Sequence, residues 1–231
     1  MTILIPYKSD VHNGLELKYA LRSIQTYLTG WTDIVLIGDK PNWFAGDVIP
    51  ANDYPGRKEY SIYQKILTAC QYNFVSDKFL MLNDDHYLLK PLHIDEIKYW
   101  YSGMLKDELN RRIGGRYKRA VEDTMQSLSN ILGNKDFNNY DIHVPIIYEK
   151  WAFKDTFHSM TQEICIKSYY CNRMGLAGEE MSDMKIDGPF SELDITSRIK
   201  DRLFFSTGTI FVDPMPQVLD KLFSVKSRFE K

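Results

Sequence analysis

Three consecutive polar residues, Asn83, Asp84 and Asp85, stand directly behind an apolar run from Phe79 to Leu82, and His86 follows them. Neighbouring carboxylates repel each other and cost free energy where water is scarce. A divalent cation held between them offsets both costs. A short apolar run bounded by polar residues reads as a strand buried on both faces, the kind found in parallel sheets. In open α/β sheets, ligands sit just outside the carboxyl ends of such strands. Asn and Asp are also turn residues, so the same pattern suits a solvated turn between two strands. Along an extended strand, the His86 side chain would point to the face opposite Asp85.

The elements that must position this stretch are legible in the first 92 residues. Residues 2–7, TILIPY, predict a strand, and Asn13-Gly14 predicts a turn. Leu17, Ala20, Leu21, Ile24 and Leu28 recur at helical spacing, with Gly30 placed to stop the helix. Thr32 to Asp39 predicts a second buried strand. Pro41 to Gly56 reads as loop, with a short strand at Val48-Ile49. Ile62, Ile66, Cys70 and Phe74 then predict a helix that returns the chain to the Phe79 strand. Such alternation predicts a mostly parallel sheet flanked by helices.

The second half reads differently. No strand pattern appears from Ile94 to Leu132. A helix is predicted over Tyr117–Leu132, broken from an earlier one by Gly114-Gly115. The stretch Lys106–Arg119 holds Lys106, Arg111, Arg112, Arg116, Lys118 and Arg119. These cations suit a solvated helix face, or contacts to phosphates of a donor, a polyanionic acceptor or a nucleic acid. His143 begins a β-rich run. Phe204–Val212 predicts the last strand, and LDKLFSVKSRF (219–229) a terminal helix. Tyr169, Tyr170, Asn172 and Arg173 lie close in sequence to Glu179, Glu180, Asp183 and Lys185. Rings beside amides and carboxylates suit sugar recognition, and Asp183 or Glu180 could take a proton from an acceptor hydroxyl.

Composition bounds these readings. The chain has 231 residues, 44% of them hydrophobic, and a net charge of −2, which argues against a general nucleic-acid binder. Its three cysteines show no CxxC spacing, so a reducing compartment is expected. The N-terminal apolar run is short for a signal peptide, and no run reaches the ~18 apolar residues of a membrane span. The expectation is a soluble cytoplasmic protein.

Three motifs in order carry a resemblance. ELKYALRSI (16–24), then Pro41 and Trp43, then Asn83-Asp84-Asp85 resemble the second conserved region of the Stealth-type sugar-phosphate transferases. More broadly, a strand ending in an Asp-x-Asp-like triplet resembles the GT-A glycosyltransferases. That resemblance implies a Rossmann-like GT-A fold over 1–231. Residues 1–92 would form the nucleotide-sugar half, and 93–231 a helical insertion and acceptor half. It implies Mn²⁺ or Mg²⁺ as cofactor, a nucleotide-sugar donor, with UDP-sugar the expectation, and a glycan or other hydroxyl acceptor. Asp85 would bind the metal, helped by His143, because some GT-A enzymes complete the site with a distant histidine. Asp84 would lie beside the donor sugar. Pro6, Tyr7, Lys8, Arg22, Asp39 and Asn83 would hold the nucleotide, with Tyr7 stacking on the base. Hexose-1-phosphate transfer, glycosylation of hydroxymethylated DNA bases and a non-catalytic nucleotide- or glycan-binding module are the alternatives.

Overall fold

The computed structural model describes residues 1–9, 12–133, 135–208 and 211–231. The elements of the first half are β1 (Thr2–Tyr7), α1 (Leu15–Tyr27), β2 (Leu28–Thr29), β3 (Asp33–Gly38), β4 (Asp47–Ile49), α2 (Lys58–Ala69), β5 (Lys78–Met81), β6 (His86–Leu88) and β7 (Leu92–His93). There follow β8 (Trp100–Tyr101), α3 (Leu105–Arg111), α4 (Arg116–Leu132), β9 (Ile146–Glu149), α5 (Lys150–Phe157) and α6 (Ile166–Arg173). The chain then runs through β10 (Glu179–Glu180), β11 (Lys185–Ile186), α7 (Glu192–Ile199), β12 (Phe204–Thr207) and α8 (Met215–Leu222).

The main sheet has the order β4-β3-β1-β5-β9. Its first four strands are parallel, and β9 closes the edge antiparallel to β5. Side chains on a strand alternate between faces, and here the alternation divides the core in two. Leu4, Val35, Ile37, Phe79 and Met81 pack on one face with Tyr63 and Ile66 of α2 and with residues of α4, α5 and α6. Ile3, Ile5, Ile34, Leu36 and Leu80 face the other way, onto Leu17, Leu21 and Ile24 of α1. Burial on both faces explains why these strands read as unbroken apolar runs. A second, smaller sheet, β11-β12-β6, lies beside α7 and α8, and its core reaches Tyr19 and Ala20 of α1.

Three predicted elements are corrected. The last helix spans Met215–Leu222, not 219–229, and the chain then runs back without helix. Phe229 stacks on Phe44, and Ala45 N–H donates to Phe229 O at 2.8 Å, so this tail is spent on contacts with the 43–45 loop. The last strand ends at Thr207, while Val212 is exposed. Thr209 and Ile210 of that predicted strand lie outside the described residues. Finally, Tyr169 and Tyr170 sit on α6 and are buried in the core rather than presented to a ligand. Among the described residues, no helix is long and apolar enough to cross a membrane.

Candidate active site

β1 and β3 end together, with Tyr7 opposite Gly38. Gly38 has φ 118°, and a Cβ there would meet Tyr7 O at 2.3 Å, so only glycine fits this crossing. Lys65 of α2, buried, donates to Tyr7 O at 2.8 Å and to Asp53 at 3.0 Å. It ties the strand end to the loop before α2. β5 leaves the sheet earlier, at Leu82, whose N–H donates to Leu4 O. The chain then turns, with His86 N–H donating to Asn83 O at 3.3 Å, and enters β6 of the smaller sheet. The Asn-Asp-Asp triplet is therefore the joint between the two sheets, at the carboxyl edge of the main one.

Two cavities meet at this joint. The first, of about 480 Å³, is lined by the strand end 6–8, the 53–58 loop, the triplet, Lys185 and Thr207. The second, of about 700 Å³, shares Lys58, Asn83, Arg116, His143 and Lys185 with it and continues toward Arg111, Arg112, Asp141, Lys167 and Asp183.

Electrostatics single out the carboxylate pair. Burial, then the charges of Asp85 and Glu16, pushes the Asp84 carboxyl up to about 8. Burial also raises Asp85, while His143 and Lys58 pull the other way. Asp85 Oδ1 is buried and accepts no hydrogen bond. His86 Nε2, also without a partner, lies 3.9 Å from it. So His86 faces Asp85, contrary to the strand-alternation expectation. The reason is the turn: alternation does not run through Asp84 and Asp85. Burial holds the His86 ring neutral, and its Nδ1 accepts from Asn83 N–H at 3.4 Å.

His143 is bound to Asp183. Its backbone N–H donates to Asp183 Oδ1 at 3.0 Å, and its Nδ1 lies 3.0 Å from both carboxylate oxygens. Burial would raise Asp183, but the His143 ring and backbone and the Lys185 N–H take it down to about 2. Buried Lys167 donates to Ile142 O and Val144 O and so fixes the segment that carries His143. Among the described residues, no three His, Cys, Asp or Glu side chains gather closely enough to hold a metal by themselves. The adjacent carboxyls still suit a cation, since one has an orphaned buried oxygen and the other is forced toward protonation.

The other predicted site residues divide. Pro6, Lys8 and Asn83 line the first cavity. Tyr7 also borders it, but its side chain is 1% exposed within the α1 core, which leaves no face for a base. Asp39 lines neither cavity; it accepts the Ser9 N–H at 2.7 Å, and that bond lowers its pKa. Arg22 is remote: it makes a two-pronged bond to Glu230 and donates to Phe223 O. Glu180 is exposed on β10 and lines neither cavity, because β10 pairs with β8 instead. Asn172 bonds Asn138 O and Ser168 O, and Arg173 pairs with Asp155. Sequence reasoning missed Tyr54, Arg57, Lys58, Lys65, Asp141 and Lys167. The run Tyr54-Pro55-Gly56-Arg57-Lys58, a turn opening a helix with two cations, was the one available signal.

A second acidic pair flanks the cavities. Glu59 N–H donates to Glu163 Oε2 at 3.1 Å, with Arg57 3.6 Å from Glu163 and Arg116 3.5 Å from Glu59. Burial, then the hydrogen bond and charge of Glu59, raises Glu163 from 4.5 to about 7. Between these values the unfolded chain has released a proton that the folded chain keeps. The Glu163 contribution to stability therefore falls as pH rises from 4.5 to about 7 and levels above it. Denaturant unfolding at a series of pH values should show a flatter slope for Glu163→Gln than for the wild type. Identical slopes would remove the raised Glu163 from the account.

By sequence, no protein family and no curated protein matches the chain, so the Stealth resemblance rests on its three motifs alone. By structure, the chain is similar to the galactosyltransferase LgtC, solved with donor and acceptor sugar analogues. The TM-score is 0.50 at 12% identity, over 97% of this chain and 95% of that one. It is also similar to WbbM, a bifunctional glycosyltransferase, with a TM-score of 0.53 at 7% identity, over 98% of this chain and 50% of that one. The mostly parallel sheet flanked by helices is thus the fold of the GT-A glycosyltransferases.

Proposed function

We propose that the chain is a glycosyltransferase that moves a sugar from a nucleotide-sugar donor in the first cavity to a hydroxyl acceptor in the second. The observation that carries this reading is the Asp84-Asp85 pair, with its orphaned oxygen, in the first cavity directly after Asn83, which lines both cavities. The division into a nucleotide half, 1–92, and an acceptor half, 93–231, is part of the same reading. Pro6, Lys8 and Asn83 border the donor. Tyr54, 42% exposed at the rim of the first cavity, replaces Tyr7 as the ring that can stack on a base. Arg57, Lys58 and Lys65 place positive charge where a diphosphate departs.

Asp85 and Asp84 would hold Mn²⁺ or Mg²⁺. A carboxylate on one ring nitrogen is the usual support of a metal-binding histidine, and Asp183 supports His143 in that way. When bound, the cation acts as a Lewis acid on the departing phosphate. Asp183, already engaged with His143, supports the site rather than serving as the acceptor's base.

Thermal unfolding with UDP and Mn²⁺, singly and together, tests the reading. The pair should stabilise by about 2.7 kcal/mol at a ligand concentration of ~100 times the Kd. Donor hydrolysis should stop when the metal is chelated. No stabilisation by UDP or by any other nucleoside diphosphate with Mn²⁺ would sink the proposal.

A further inference from the structure

The second cavity carries more positive than negative charge. Lys58, Arg111, Arg112, Arg116, Lys167 and Lys185 line it, against Glu59, Glu108, Asp141 and Asp183. Part of that surplus lies at Arg111 and Arg112, which line this cavity and not the first. There Glu108, 8% exposed, accepts from Arg111 and, at 2.6 Å, from Arg112 Nε. Two guanidinium groups share one carboxylate, so a full positive charge is left over. The side chains of Arg111 and Arg112 are 69% and 44% exposed, so donors remain open to solvent or a ligand. Arg112 also lies over the Tyr117 ring at 4.3 Å, which fixes its plane. Arg116, 43% exposed and 3.5 Å from Glu59, lines both cavities, and Lys58 makes no ion pair or side-chain hydrogen bond among the described residues.

We propose that the acceptor is an acidic saccharide, whose phosphate or carboxylate is held by Arg111, Arg112 and Arg116. This deepens the glycosyltransferase reading and rests on it. A guanidinium presents several donors in a planar fork that matches the oxygens of either anion. With the acid group at the arginine end, the rest of the sugar extends toward Asn83, His143 and Lys185, where the cavities join. A hydroxyl there faces the donor. The cations line a cavity of about 700 Å³. A cavity of that size is in the range that takes a small ligand such as a sugar.

Calorimetric titration of the whole chain with glucose, glucuronate and glucose 6-phosphate, with and without UDP and Mn²⁺, tests this. Both anions should bind at least ~10-fold more tightly than glucose, and the advantage should shrink with added salt as the charges are screened. A lead of glucose 6-phosphate over glucuronate, or the reverse, identifies the anion. Removing both arginines alone would strand the buried Glu108, so the variant is Glu108→Gln with Arg111→Gln and Arg112→Gln. It should lose most of the advantage while keeping its melting temperature. Equal binding of all three sugars, or an undiminished preference in the variant, overturns the proposal. Competition by a short single-stranded DNA at ~10-fold lower concentration than glucose 6-phosphate would overturn the saccharide assignment. Failure of UDP to bind would instead sink the transferase reading, and the contrast measured without UDP would still judge the anion site.

Discussion

Asp85→Asn is expected to cut sugar transfer about 10³-fold and to leave the fold intact. The magnitude is that of removing a preorganised electrostatic partner from a leaving group, about 10²–10³-fold, with loss of metal affinity added. The preserved fold follows from the local geometry. Asp85 Oδ1 accepts no hydrogen bond that the variant would lose, and the carboxyl is raised by burial. An amide removes a buried charge that raises Asp84, so the melting temperature should hold or rise. Turnover with Mn²⁺ and circular-dichroism melting, measured together, decide the matter. Wild-type turnover in the variant would mean that the pair is only a turn.

Arg22→Ala has the largest expected effect on stability, and none on nucleotide affinity. Arg22 Nε and an outer nitrogen each donate to Glu230 at 2.8 Å, with the two side chains 9% and 3% exposed. Truncating one partner of a buried pair strands the other and costs about 3–5 kcal/mol. The same bond holds the tail that covers Phe44, so the loss spreads to the Phe44–Phe229 stack. Replacing both Arg22 and Glu230 by methionine should recover much of the loss, because apolar packing then replaces the pair. Urea unfolding of the two variants measures this. A loss below ~1 kcal/mol for Arg22→Ala would show that the pair is solvated, and weaker UDP binding would return Arg22 to the nucleotide site.

Arg22 shows where reading the chain without its fold stops. Its partner lies 208 positions away, and nothing near Arg22 in the sequence signals Glu230. By contrast, α1 follows from helical periodicity, and β1, β3 and the run 79–82 before Asn83 follow from short unbroken apolar runs. In the second half the strands β10 and β11 are two residues each, too short to show any alternation. α6 buries Lys167 and Ser168 along with Tyr169 and Tyr170, so its sequence shows no exposed polar face. The carboxylate pair was legible because its chemistry is carried by neighbours in sequence. Lys58 and Lys65 were not, because only the fold brings them to it. The Tyr7 and His86 expectations failed for local reasons: one ring turned into the α1 core, and a turn reset the other's direction.

The joint between the sheets has a kinetic consequence. The first cavity draws residues from 6–8, 53–65, 83–85, 116, 143, 185 and 207–208, so it closes only when segments from both ends of the chain have met. Contacts of such long sequence separation carry a large loop-closure cost and dominate slow folding. A chain caught with β1, β3 and β5 assembled but β11 and β12 still loose would have its triplet exposed and no cavity around it. On the proposed function, a nucleotide would then hold the finished molecule and slow its unfolding, but would not seed its formation.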